Sequence, residues 1–274
     1  SIPETNNHSQ EEQAMKIPDL SYLLTLSRTA GNIIVDDFRR VRASTLKSNG
    51  TPLTATDERI NELVLSYLAH DFPDVSVIAE EGSREVKDAE YAVFCDPLDG
   101  TVPFVRGIPM STFVITMVRD GQPILAVIRN PHDGQTWYAE RSRGAYLDRN
   151  RIRVSQHGKL KGSGVGLAWI ASSRYNFPAI CAKLSESGVH WMNYCSMAIL
   201  GGFVASGTME ATLMPTKNFW ETAAMQLIVE EAGGMATDVH GDKLSYVAGQ
   251  PINGHVISNG YVHEELLKLV KSCQ

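Results

Sequence analysis

Four cysteines in 274 residues, at 95, 181, 195 and 273, make no CxxC pair, so the spacing of a structural zinc site is missing. Three of them stand in apolar surroundings and read as buried thiols, which fits a reducing, cytoplasmic compartment. The eight histidines form neither HxxxH nor HxH, which argues against a histidine metal site. No Gly-x-Ser-x-Gly elbow supports a serine hydrolase. Gly162, Gly164 and Gly166 lack the strand-then-helix setting of a dinucleotide loop and read as a strand entry. Positive charge is scarce as well. With 25 Lys and Arg against 31 Asp and Glu, the net charge of −6 argues against a nucleic-acid partner, because phosphate backbones attract basic surfaces. No apolar run approaches the about 20 residues that span a bilayer, and the N-terminus lacks the basic-then-apolar order of a signal peptide, so no membrane association is expected. No repeat stands out. Residues 1–14 are polar and read as a loose tail.

What is there is the balance of a soluble globular chain, 43% hydrophobic and 20% charged, long enough to bury a sizeable core. Helical spacing of Leu20, Leu23, Leu24, Ser27, Gly31, Ile34 and Phe38 predicts a helix over 19–40. A second follows Asp57, with Ile60, Leu63, Val64, Tyr67 and Leu68 on one side. Short apolar runs at 75–79, 91–95, 113–118, 124–128, 137–140 and 145–147 read as strands, and Asp120-Gly121 marks a hairpin between the third and fourth. Beyond about residue 155 strands and helices alternate: strands at 165–168, 189–192 and 210–214, helices at 177–187, 196–206 and 219–231. Alternation implies crossovers and a partly parallel sheet. The reading is therefore a metal-binding α+β half over 15–155 and an α/β half over 156–274, packed as one body.

Four acidic segments sit where strands end or helices begin: Thr54-Ala55-Thr56-Asp57, Glu80-Glu81, Asp96-Pro97-Leu98-Asp99-Gly100-Thr101, and Trp220-Glu221. Taken singly, each reads as a helix cap, a solvated loop or a turn. Taken together they can converge at a sheet edge, where carboxylates repel one another and raise each other's pKa. A hard divalent cation removes that penalty. Mg²⁺ takes oxygen ligands, and two such ions can activate a water and steady a leaving oxygen in phosphate-ester hydrolysis. In the third segment Asp96, Asp99 and the Leu98 carbonyl can face one metal cluster. Gly100 lets backbone N–H groups approach an anion, and Thr101 adds a hydroxyl at the same spot.

The Asp96–Thr101 run resembles the first signature of the inositol monophosphatase family, and Trp220-Glu221-Thr222-Ala223-Ala224 with the closing Gly233-Gly234 resembles the second. Leu53–Asp57 and Ile78–Gly82 match its remaining acidic motifs in order. The resemblance implies a five-layer αβαβα sandwich and a Mg²⁺-dependent phosphatase with two to three ions, Mn²⁺ substituting. It implies that Glu80, Asp96 and the Leu98 carbonyl hold the water-activating ion, and that Asp96, Asp99 and Glu221 hold the second. Thr101, paired with Asp57 and helped by Glu80, orients or deprotonates the water, while the N–H groups of Gly100 and Thr101 hold the phosphate. Lys47 stands where the family often has a lysine near the metals. Ser196 opens a helix beside the substrate, and Arg106 is a candidate contact to an anionic substrate group; Arg174, Lys217 and Asn218 are rim candidates. Lithium sensitivity and a homodimer are also implied.

Two departures stand out. Glu221 replaces the family's aspartate and adds a methylene, which implies weaker binding of the second ion. Met214 falls where inositol-cleaving members carry a glutamate for a substrate hydroxyl, and a thioether accepts only weakly. Inositol phosphate, histidinol phosphate, a sugar bisphosphate and a nucleotide 3′-phosphate all remain substrate candidates. The alternative is a catalytically weak member that regulates a protein partner, which Glu221 and Met214 permit.

Overall fold

The computed structural model describes residues 15–40, 44–47, 50, 52–168, 176–214 and 220–273. The polar stretch 1–14, Phe219 and the rim candidates Arg174, Lys217 and Asn218 lie outside the described residues.

Helix α1 runs Leu20–Asp37 behind an Asp19 cap, whose carboxylate accepts from the Tyr22 N–H at 2.7 Å. It stops short of the expected Arg40: Phe38 leaves the helical region at ψ 130° and Arg39 follows at a left-handed φ of 65°. A small antiparallel pair, β1 (Thr45–Leu46) and β2 (Pro52–Leu53), leads into α2 (Ala55–Asp71). Tyr67, expected on the packed face of α2, is instead half exposed, at 49%.

The first sheet has seven strands in chain order: β3 (Ser76–Ala79), β4 (Tyr91–Asp99), β5 (Thr112–Arg119), β6 (Gln122–Arg129), β7 (Thr136–Glu140), β8 (Gly144–Leu147) and β9 (Asn150–Arg151). β3 and β4 are parallel and the rest form an antiparallel meander. Asp120 and Gly121, both at positive φ, make the β5–β6 turn. A short helix, α3 (Thr101–Arg106), interrupts the chain between β4 and β5.

The second sheet uses β10 (Gly164–Leu167), β11 (His190–Met192), β12 (Ala211–Met214), β13 (Met235–Thr237) and β14 (His255–Ser258) in the order β11-β10-β12-β14-β13. β11, β10 and β12 are parallel, and β14 is antiparallel to both its neighbours. The helices of this half are α4 (Phe177–Glu186), α5 (Met197–Ala205), α6 (Trp220–Glu231) and α7 (His263–Lys271).

Strand alternation sorts the side chains into three cores. Val93, Cys95, Ile115 and Val127 meet Leu23, Ile34, Ile60 and Val64 of α1 and α2. Phe94, Val114 and Ile128, from the other face of that sheet, meet Leu200, Met225 and Ile228 of α5 and α6, which also receive Met214 and Ile257 from the second sheet. Val165, Leu213 and Val256 turn the other way onto Ile180, Leu184, Leu266 and Val270 of α4 and α7. The order is helix, sheet, helix, sheet, helix, the five layers expected. Cys95 and Cys273 are buried, but Cys181 is only half buried and Cys195 is exposed, so two buried thiols replace the expected three. Among the described residues no helix is long and apolar enough to cross a membrane.

Candidate functional site

Parallel strands deliver their ends to one side, and β3 and β4 do this for the acids. Glu80 follows β3 directly, its N–H donating to the Cys95 carbonyl at 3.1 Å. At the end of β4 the register with β5 slips between Asp96 and Asp99, so both aspartates stay at the same edge. The Leu98 N–H donates back to Asp96 Oδ1 at 3.0 Å and fixes that carboxylate. Gly100 then turns at φ 87°; a Cβ there would stand 2.5 Å from the Met110 carbonyl oxygen and 3.1 Å from Ser196 Cβ, so only glycine fits.

Thr101, the first residue of α3, has its hydroxyl 3.1 Å from the Leu98 carbonyl and 3.3 Å from Asp57 Oδ1. Asp57 arrives through a capping box at the start of α2. The N–H groups of Thr56 and Asp57 donate to Thr54 Oγ1, while the N–H and hydroxyl of Thr54 donate to Asp57 Oδ2. Asp57 therefore caps the helix with one oxygen and faces Thr101 with the other.

Asp99 makes contacts that the sequence does not signal. Thr112 Oγ1 donates to it at 2.9 Å, from directly across the β4–β5 ladder. The Ser196 hydroxyl and the Met197 and Ala198 N–H groups donate to it as well, at 2.5, 3.2 and 3.0 Å. Ser196 holds the N-cap position of α5, where a serine side chain can cap its own helix. It makes no such bond; Asp99 reaches across from the first sheet and caps α5 instead.

These residues open onto one cleft of about 200 Å³, lined by Lys47, Glu80, Asp96, Leu98, Asp99, Gly100, Thr101, Met214 and Glu221, with Pro52, Val102, Ala168, Asn193, Cys195, Met197 and Trp220 around them. Glu221 comes from the first turn of α6 and Met214 from the end of β12. Asp57 and Ser196 stand behind this lining, reached through Thr101 and Asp99. Arg106 is not brought in: it ends α3 exposed, apart from the cleft lining. Sequence reasoning left Glu81, Thr112, Asn193 and Trp220 without a role. Glu81 and Trp220 had local signals, their places beside Glu80 and Glu221; Thr112 and Asn193 had none.

The electrostatics are those of crowded acids. Burial first, then the charges of Glu80, Asp99 and Glu221, push the Asp96 carboxyl well above its ordinary range. Burial followed by Asp99 pushes Glu221 up to about 8. Asp99 is raised by burial, although its four donors oppose the shift. Asp57 is also raised by burial against the Thr54 bonds. Lys47 is the cation among the described lining residues. Its ammonium sits 2.9 Å from Glu80 and also binds Glu81. Burial works to lower the Lys47 pKa, and those two carboxylates more than offset it, holding the group above its usual value. No cation among the described residues pairs directly with Asp96, Asp99 or Glu221, although the Lys47 charge partly opposes the rise at Asp96 and Glu221. Among the described residues no three Asp, Glu, His or Cys side chains are closed around a point as a finished cation site. The oxygens nevertheless form an all-oxygen set with unbalanced negative charge, the chemistry that suits a hard divalent ion.

Comparison with known proteins gives a matching context. The model of the inositol monophosphatase family matches residues 18–274. A fructose-1,6-bisphosphatase/inositol-1-monophosphatase of Thermotoga maritima is 29% identical over 253 residues, 92% of this chain and 95% of that one. A histidinol-phosphatase of Mycobacterium tuberculosis is 30% identical, covering 92% and 98%. A Nus factor SuhB of Pasteurella multocida is 28% identical, covering 93% and 97%. Among solved structures, a Thermotoga maritima IMPase superposes with a TM-score of 0.83 at 27% identity, over 93% of this chain and 97% of that one.

Proposed function

The chain belongs to the inositol monophosphatase family, and on that footing we propose that it is a Mg²⁺-dependent phosphatase of small phosphate monoesters. The observation that carries this reading is the convergence of Glu80, Asp96, Asp99 and Glu221 on one cleft, beside a hydroxyl–carboxylate pair made by Thr101 and Asp57.

Glu80, Asp96 and the Leu98 carbonyl would hold one ion, and Asp96, Asp99 and Glu221 a second, with Asp99 sharing its oxygens between the ion and the start of α5. When bound, Mg²⁺ supplies Lewis-acid polarisation of water and of phosphoryl oxygen at neutral pH. Thr101 accepts a hydrogen bond from the attacking water and passes its own proton towards Asp57 Oδ1. Burial makes Asp57 a stronger base than an exposed aspartate. The N–H groups of Gly100 and Thr101 orient the phosphate, and Lys47 balances Glu80 and Glu81. Met214 offers no strong acceptor to a substrate hydroxyl, which disfavours a free inositol phosphate as the preferred ester.

The test is phosphate release from a panel comprising inositol 1-phosphate, histidinol phosphate, fructose 1,6-bisphosphate and a nucleotide 3′-phosphate, with Mg²⁺ or with EDTA. Cleavage in Mg²⁺ alone is expected, and Thr101→Val should lower kcat by about 10²–10⁴. Failure to cleave any ester at any Mg²⁺ concentration would leave a binding role, the SuhB-like alternative, as the better reading.

A further inference from the structure

His255 is fully buried in the middle helix layer, where an ionisable ring needs a reason to be. It opens β14 directly opposite Met214 of β12, and both face α6. Its Nδ1 lies 3.0 Å from Thr222 Oγ1 in the first turn of α6, and its Nε2 lies 3.3 Å from Thr212 Oγ1 on β12. Both hydroxyls are themselves buried. One ring thus links two strands of the second sheet to the helix start that carries Glu221. Burial drives the ring's pKa down to about 3, so it is neutral at working pH and acts by geometry, not charge.

We infer that His255 is a positioning residue: by tethering Thr222 it fixes the first turn of α6 and so sets where the Glu221 carboxylate meets Asp96 and Asp99. A helix start is a weak place to hold a ligand, since its first turn lacks intrahelical partners for its N–H groups. The Glu221 side chain also has three rotatable bonds and, unanchored at its root, samples positions beyond reach of the shared ion. The Thr222–His255 bond removes the backbone part of that freedom. Thr212, two residues before Met214, gives the same ring a foothold on the strand lining the cleft.

The inference rests on the metal reading proposed above, and the experiment separates the two. Mn²⁺ binding is measured by calorimetry on the full chain as wild type, Thr222→Val, His255→Leu, Thr212→Val and the Thr222→Val/His255→Leu double variant, with folding checked by circular dichroism. Thr222→Val and His255→Leu should each weaken Mn²⁺ binding about tenfold, the usual loss when a group that orients a ligand is removed. The double variant should be no weaker than His255→Leu, because both changes remove one bond, and Thr212→Val should have the smaller effect. A merely structural role would lower the melting temperature and leave affinity alone. If folded Thr222→Val binds Mn²⁺ as wild type does, the inference is overturned. His255→Leu risks misfolding, so the near-isosteric Thr222→Val is decisive. A wild type that binds no Mn²⁺ overturns the metal reading and this inference together.

Discussion

Replacing Asp96 by asparagine should stabilise the metal-free protein and destroy its response to Mg²⁺. Asp96 is 5% exposed and faces the charges of Glu80, Asp99 and Glu221. Asparagine has the same shape and keeps an Oδ1 to accept the Leu98 N–H at 3.0 Å. It exchanges the other oxygen for an NH₂ that can donate to the surrounding carboxylates. Two like charges about 6 Å apart cost about 3 kcal/mol at an effective dielectric near 20. Partial protonation relieves some of that, so a net gain of about 1–2 kcal/mol is expected at pH 8 in EDTA, the size of a clear stabilising mutation. The sign with pH follows from linkage. The native carboxyl holds its proton above the pH at which the unfolded one releases it, so wild-type stability falls as pH rises from about 4 through the raised native pKa. The gap between variant and wild type should therefore be near zero at pH 4 and widen upward. Saturating Mg²⁺ reverses the order: at 100 times Kd it adds about 2.7 kcal/mol to a protein that binds it and nothing to one that does not. Urea denaturation in EDTA and in excess Mg²⁺ measures all of this. A variant less stable than wild type in EDTA at pH 8, or one stabilised equally by Mg²⁺, would refute the reasoning.

The Glu221 carboxyl, with a pKa of about 8, must lose a proton before it ligates, so Mg²⁺ affinity should rise by up to about tenfold per pH unit from pH 6 to 8 and then level off; calorimetry in buffers of differing ionisation enthalpy would count the proton released. His255 stays neutral to about pH 3 in the native state while the unfolded ring protonates near 6.5, so the protein should lose stability as pH falls below 6.5, by up to about 1.4 kcal/mol per unit. His255→Leu should remove that part of the slope, read from urea midpoints between pH 7 and 5. Gly100→Ala places a Cβ 2.5 Å from the Met110 carbonyl at a left-handed φ and should cost about 2 kcal/mol or more, with loss of activity even where the protein remains folded at 20 °C.

The acidic runs were legible because each is local. Asp96-Pro97-Leu98-Asp99-Gly100-Thr101 carries its own turn, and Thr54-Ala55-Thr56-Asp57 its own helix cap, so short-range chemistry marks both. Most helices and strands before residue 231 were legible for the same reason, through period and turn residues; the short β1, β2, α3 and β9 were not assigned. What escaped depends on pairing at long range. Thr112 meets Asp99 only because β5 lies against β4 in that register. The capping of α5 by Asp99 joins residues about a hundred positions apart. The reading assigned no element after Glu231, yet β13, β14 and α7 lie there. β13 and β14 are strands of three and four residues whose partners are distant in sequence, and β14 begins with a histidine that is buried only because Thr212 and Thr222 receive it. Lys47 was marked by the family resemblance alone; its ion pairs with Glu80 and Glu81 join residues more than thirty positions apart and have no local signal.

The layering also explains why the acids cannot relax apart. Asp96 and Asp99 end a strand whose flanks pack on both helix layers, while Glu221 begins a helix held between the two sheets. An exposed acid escapes its neighbour by rotating a side chain into water. Here the acids are themselves buried at the edge of close-packed layers, where a charge turned into the core costs more than the repulsion it avoids. Two responses remain: hold a proton, which the raised values of Asp96 and Glu221 express, or hold a cation. On the proposed phosphatase reading, the first would leave the cleft inert and the second would arm it beside Thr101 and Asp57. On that reading, the same rigidity that makes the metal-free site costly would make ion binding and catalytic competence one event.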